Sequence, residues 1–199
     1  NPMLIKEVQT SSGKEQKYIN SEHQITFHLP YRWMPVEADG MTSDRLDLIL
    51  QPTIKEHNAQ KQIDESGFTP QVLVFAEKRF PGLSENKVSP SFFSVASGED
   101  PTVLNNYIIT NSDGRQAHLM ITTQNFETPT ETVQFKILQL HFTNSELDYS
   151  IIYVNLAEWF RYESMSFFQT VKNFEIMIDG KMQPINFHTH PVFLNIMDE

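Results

Sequence analysis

Two histidines near the end of the chain, His188 and His190, are separated by a single threonine. On an extended segment alternate side chains share a face, so both imidazoles could reach one zinc ion. Zinc sites draw on three or four convergent ligands, and the rest would have to come from His141, Asp179 or Glu199. Two solvated tail histidines are the plainer expectation. Asp39, Asp44 and Asp47 gather around Gly40, but their spacing departs from the loop pattern that surrounds calcium with oxygens. They read as an acidic turn in water.

Covalent chemistry finds little support. There is no cysteine, which excludes thiol nucleophiles, disulfides and Cys-ligated zinc. No Gly-x-Ser-x-Gly elbow occurs, and the seven glycines are dispersed with no Gly-Lys-Ser/Thr phosphate loop. Ser, His, Asp and Glu are all present, as in any chain of this size, and sequence spacing pairs none of them into a triad or a glycosidase-like carboxylate pair. The expectation is a protein with no catalytic residues and no cofactor. A hydrolase built from dispersed residues is the last alternative. Tyr31, Arg32 and Trp33, beside Pro30, are residue types that anchor protein interfaces. Trp33 has a competing place in the core, because large apolar side chains are mostly buried. The same choice faces Tyr153, Trp159, Phe160 and Tyr162, with packing preferred.

The elements that would hold these residues are those of a globular domain. The 199 residues are 39% hydrophobic and include 15 Phe, 6 Tyr and 2 Trp, enough for an aromatic core. The net charge of −10 comes from 25 acidic and 15 basic residues, and the basic ones are scattered. Polyanions are drawn by concentrated positive charge, so nucleic acid and anionic membrane surfaces are poor partners. No apolar run reaches the ~20 residues that span a bilayer as a helix. The chain starts at Asn1 rather than Met, which fits a removed leader and a periplasmic or secreted protein, or merely a trimmed start.

Residues 1–17 are polar and read as a flexible lead-in, with one short strand at Met3–Val8; residues 18–199 read as a single domain. Period-2 patterning marks strands at Ile25–Leu29 and Leu46–Leu50, with a return strand starting at Trp33. Thr53 and Glu56 have the form of a capping box that would open a helix ending before Gly67. Gln71–Ala76 is almost continuously apolar, which suggests a central strand covered on both faces. Arg79–Pro101 carries three prolines and two glycines and reads as loop, with room for a short helix at Ser91–Ala96.

Asp113-Gly114 supplies the positive φ of a tight hairpin turn between Tyr107–Thr110 and Ala117–Thr122. Val133, Phe135 and Ile137 keep one phase, whereas Leu138, Leu140 and Phe142 keep the other. A bulge near Ile137 or burial of both faces would explain the switch. After a turn at Asn144–Glu146 and a strand at Tyr149–Val154, Phe160, Ser164, Phe167, Val171 and Phe174 form one helical stripe, with Phe168 beside it. Asp179-Gly180 marks a last hairpin, and the tail after Phe187 looks irregular.

Three places resemble the PsbP-like superfamily, which includes the bacterial DcrB relatives. They are a polar-flanked strand leading to Pro30 and Trp33, the run Phe68-Thr-Pro70-Gln-Val72-Leu-Val74 with Glu77, and the closing order of hairpin, long strand, turn, strand and helix ending in Val171-Lys-Asn-Phe174. The resemblance covers Tyr18 to Ile178. It implies an α/β/α sandwich on an antiparallel sheet, and members acting as accessory or binding subunits. The chain departs from the pattern in lacking a clear middle helix and in carrying a tail after the closing helix.

The expected fold is therefore α+β, an antiparallel twisted sheet of about six strands with packed helices. The expected role is a non-catalytic accessory or binding protein acting through a protein partner, with a small-molecule or metal-binding module as the alternative. A partner binder should expose an apolar patch, and a ligand binder should enclose a pocket with convergent polar groups.

Overall fold

A computed structural model describes residues 3–11, 13–36, 46–53, 57–80, 82 and 102–198. The candidate helix at Ser91–Ala96, Glu56 of the Thr53–Glu56 capping box, and the cluster of Asp39, Asp44 and the Asp47 side chain lie outside them. The class is α+β with antiparallel pairing throughout, as the patterning predicts. The strand count differs: the described residues carry twelve strands in two sheets, against about six expected. The five-stranded sheet runs β1(Met3–Thr10), β2(Gly13–Asn20), β3(Ile25–His28), β11(Glu175–Ile178), β12(Lys181–Pro184). The seven-stranded sheet runs β4(Trp33–Val36), β5(Leu46–Pro52), β6(Gln71–Lys78), β10(Leu147–Leu156), β9(Thr132–Thr143), β8(Gln116–Glu127), β7(Thr102–Thr110).

Of residues 1–17, read as a flexible lead-in, β1 holds the short strand expected at Met3–Val8, and β2, starting at Gly13, is a strand that was not expected. β1 and β2 form a ribbon in continuous register from Met3↔Asn20 to Thr10↔Gly13, and β2 pairs onward with β3. The segment is too polar to show a period-2 signal. Main-chain pairing and the burial of Tyr18 under Phe27, with ring centroids 5.4 Å apart, hold it instead.

The core lies between the inner face of the seven-stranded sheet, the five-stranded sheet and the C-terminal helices. Leu138, Leu140, Phe142, Tyr149, Ile151 and Tyr153 contribute from β9 and β10, and Phe27 and Ile176 from the smaller sheet. The predicted stripe is buried at all five positions, although the helix breaks at Ser164 into α2(Phe160–Glu163) and α3(Met165–Asn173). The tail is not irregular: α4(Pro191–Asp198) lays Phe193 on Phe167, with stacked rings 5.9 Å apart.

The phase switch in β9 comes from two-faced packing. β9 pairs without interruption with both neighbours, so there is no bulge near Ile137. Leu138, Leu140 and Phe142 face the core, while Phe135 and Ile137 are half-buried on the other side. β6 shows the opposite outcome. Its Val72, Val74 and Ala76 are buried and the residues between them only half-buried, so its apolar run is not matched by equal cover on both faces.

Asparagines fix the turns. Asn111 Oδ1 accepts the N–H groups of Asp113 and Arg115, and its Nδ2 donates to the Ile185 carbonyl 2.8 Å away. Gly114 takes φ +79° there, as a tight turn requires. Asn144 Oδ1 likewise accepts from Glu146 and Leu147, while its Nδ2 reaches Gln24, Tyr149 and the Met177 carbonyl, tying the β9–β10 turn to the smaller sheet.

Candidate functional site

β7 is the outermost strand of the seven-stranded sheet among the described residues, paired on one side with β8. Its nine residues, Thr-Val-Leu-Asn-Asn-Tyr-Ile-Ile-Thr, are mostly β-prone apart from the two asparagines, and contain no charge and no proline. Val103 is 51% exposed, Leu104 50%, Tyr107 39% and Ile108 58%. Native edges are usually blunted by short length, charge, proline or a bulge. β4, at the sheet's other end, follows that rule, with four residues including Pro35. β7 has one such device, a register shift between Val103 and Asn105 that makes Leu104 the extra residue. Beyond it, Asn105 to Thr110 pair regularly with β8. The arrangement sets four exposed apolar side chains along the outermost described strand of this sheet.

The residues singled out in the sequence lie elsewhere and are not brought together. Trp33 is buried in the core. Tyr31 is 73% exposed, with the Arg32 guanidinium 5.0 Å from its ring centre and its backbone N–H donated to Gln169 Oε1. Arg32 sits at φ +59°, a sparsely populated conformation for a residue with a side chain. Tyr153 and Phe160 are core residues, whereas Tyr162 is exposed. His188 and His190 do not lie on one extended face. His190 Nδ1 accepts the Val192 N–H at the start of α4, and His188 packs edge-on against Phe168 at 6.2 Å between centroids. Among the described residues no three His, Asp or Glu side chains are grouped to hold a metal ion.

A second feature was not anticipated. The outer face of β8, β9 and β10 carries His118, His141 and Ser150 side by side, because His118 pairs with His141 and His141 with Ser150 across the strands. All three are buried. Ser150 Oγ lies 2.6 Å from His141 Nδ1, and Gln139 Oε1 lies 3.1 Å from His141 Nε2. With Gln139 Oε1 as acceptor, His141 carries its proton on Nε2 and accepts the serine hydroxyl at Nδ1. His118 Nε2 is bonded to Asn106 Oδ1 on β7. Burial, reinforced by the neighbouring His118, pushes His141 down to about 3, and burial lowers His118 as well. The row therefore holds neutral imidazoles. Counting back from the Thr128–Glu131 turn would have set His118 opposite His141, and that turn was not recognised in the sequence.

On the same face Arg79 and Asp148 form a buried ion pair at 3.1 Å, and Arg79 also donates to the Asn144 carbonyl. Burial raises Asp148 to about 6 against the pull of Arg79, with Glu77 adding to the rise. These shifts oppose one another in acid. A depressed histidine contributes stability above its unfolded value of 6.5 that is lost as pH falls toward the folded value. A raised aspartate does the reverse: its contribution is complete below 3.8 and is lost as pH rises through about 6. Each change follows a slope of ~1.4 kcal/mol per pH unit. Stability measured by urea unfolding should thus fall as the pH drops below 6.5, with the gain from Asp148 below about 6 making that fall shallower. In Asp148→Asn the decline between about 6 and 4 should become steeper than in the wild type; an unchanged slope would remove Asp148 from the account.

A groove of about 800 Å3 opens between the end of α1(His57–Ser66), the start of β9 and the end of β10. Glu65, Glu131 and Glu158 stand along it with Phe68 and Phe135. Phe135 meets Phe68 and Phe126 edge-on at 4.9 and 5.2 Å. The groove is open, and none of the depressed histidines lines it.

No family profile matches the chain, and no curated protein matches it. Among solved structures the chain is similar to the solution structure of cyanobacterial PsbP (CyanoP) from Synechocystis sp. PCC 6803, with a TM-score of 0.49 and 11% identity, over 82% of this chain and 92% of that one. Among the described residues no helix is long and apolar enough to cross a membrane.

Proposed function

We propose that the protein is a non-catalytic binding or accessory subunit that takes a protein partner along β7. The observation that carries this reading is the exposure of apolar side chains on a long, uncharged, outermost strand. Added strands gain affinity from main-chain hydrogen bonds and specificity from the alternating side chains they cover. Isolated surface apolar residues need no explanation, but four of them exposed on one edge strand mark either a binding site or an aggregation hazard.

Tyr31 and Arg32 offer a second set of contacts on a different loop. The test is a paired capture from lysate of the source cells, using the wild type and the Tyr107→Lys/Ile108→Lys variant as baits. Both residues are exposed, so the variant should fold normally. A specific protein retained by the wild type and depleted at least ~10-fold on the variant, a loss of about 1.4 kcal/mol, is expected. Equal recovery on both baits would remove β7 from the binding surface.

A further inference from the structure

We propose that the strand completing β7 is the β7 of a second copy. The two seven-stranded sheets would then continue into one another, antiparallel, about a two-fold axis perpendicular to the sheet. This rests on the reading of β7 as a binding edge and names its occupant.

Three observations point to it. Tyr107 and Ile108 are consecutive, so they project to opposite faces of the sheet, and both are exposed. A partner lying on one face would cover one of them, whereas extension of the sheet flanks both.

A two-fold interface sets the residues nearest the axis close to their own copies, so a charge there would meet a like charge across the seam. The chain carries −10, yet β7 has no charged residue in nine. For a strongly acidic protein, a charge-free seam is what makes association with itself possible.

Finally, the regular stretch from Asn105 to Thr110 is centred on Tyr107 and Ile108. An axis at either position pairs that side chain with itself, and aromatic or β-branched residues directly opposite are favourable cross-strand pairs. β4, the other end of the sheet, is too short and contains Pro35.

Sedimentation velocity of the full chain from low to high micromolar concentration should show a shift from 23.1 kDa toward twice that mass. Ile108→Lys and Tyr107→Lys should each weaken the dimer at least ~10-fold, with far-UV circular dichroism and thermal transition unchanged. The absence of cysteine allows a geometric check. Among Asn106→Cys, Tyr107→Cys and Ile108→Cys, the residue on the axis should form an intermolecular disulfide, while its neighbours, ~8 Å from their copies, should not.

A chain monomeric at every concentration overturns the proposal, as does a dimer that both lysine variants leave intact or a cysteine scan with no preferred position. A labelled peptide of residues 102–110, titrated onto the chain, separates this failure from that of the edge itself. Binding that Ile108→Lys abolishes, with a monomeric chain, sinks the dimer and leaves strand addition at β7 standing. No peptide binding and a monomeric chain remove both.

Discussion

Arg79→Met should lower stability by about 3–5 kcal/mol well above pH 6, and by far less below it. Arg79 and Asp148 are almost fully shielded from water, so deleting the cation leaves a carboxylate buried without its counter-charge. Even with Arg79 in place, burial holds Asp148 up at about 6. Without Arg79 that value climbs further, and the site can relieve the penalty by taking up a proton once the pH is low enough. Stability of the variant should therefore recover as the solution is acidified, relative to the wild type. Arg79→Met/Asp148→Asn should regain most of the loss at neutral pH, because a neutral amide no longer requires the guanidinium. Urea unfolding of the four proteins at two pH values checks this. A loss under ~1 kcal/mol, or one independent of pH, would show that the pair is not the buried electrostatic unit described.

Phe174→Ala is the second large effect, about 3–5 kcal/mol. Phe174 is fully buried where the closing helix meets both sheets. Its ring stacks on Phe27 at 5.2 Å, meets Phe142 edge-on at 5.5 Å and lies 6.3 Å from Tyr149. Those partners come from β3, β9 and β10, so the cavity would open where three elements are locked and cannot collapse together. For a chain of this length each kcal/mol is worth roughly 2–4 °C, giving a drop in Tm of roughly 6–20 °C. Phe174→Leu, which keeps most of the volume, should recover more than half of it. A calorimetric shift of only a degree or two for the alanine variant would mean that the aromatic junction is not a centre of the fold.

Strands with a strong period were legible in the sequence. Ile25–His28, Trp33–Val36, the β7–β8 hairpin with its Asp-Gly turn, and Asp179-Gly180 all occur as strands and turns where patterning put them. The five-position stripe through Phe174 also lies against the core. These elements announce themselves because burial of one face imposes a 2.0 or 3.6 repeat on the side chains. β2 imposes none, since its stability comes from main-chain pairing and from what packs nearby. The candidate site followed the same division. Tyr107 to Thr110 reads plainly as a strand, but nothing in its residues says that it ends a sheet. The histidine row was equally hidden, because His118, His141 and Ser150 meet through strand register.

The amino-acid sequence alone determined the class, the absence of thiol chemistry, the acidic balance and the aromatic character of the core, all of which depend on composition and local repeat. Tertiary structure alone decided the division into two sheets, the neutral histidines behind β9 and the exposure of β7. Those depend on which strand lies beside which, and pairing between segments distant in sequence is settled by packing across the whole chain rather than by local residue preferences.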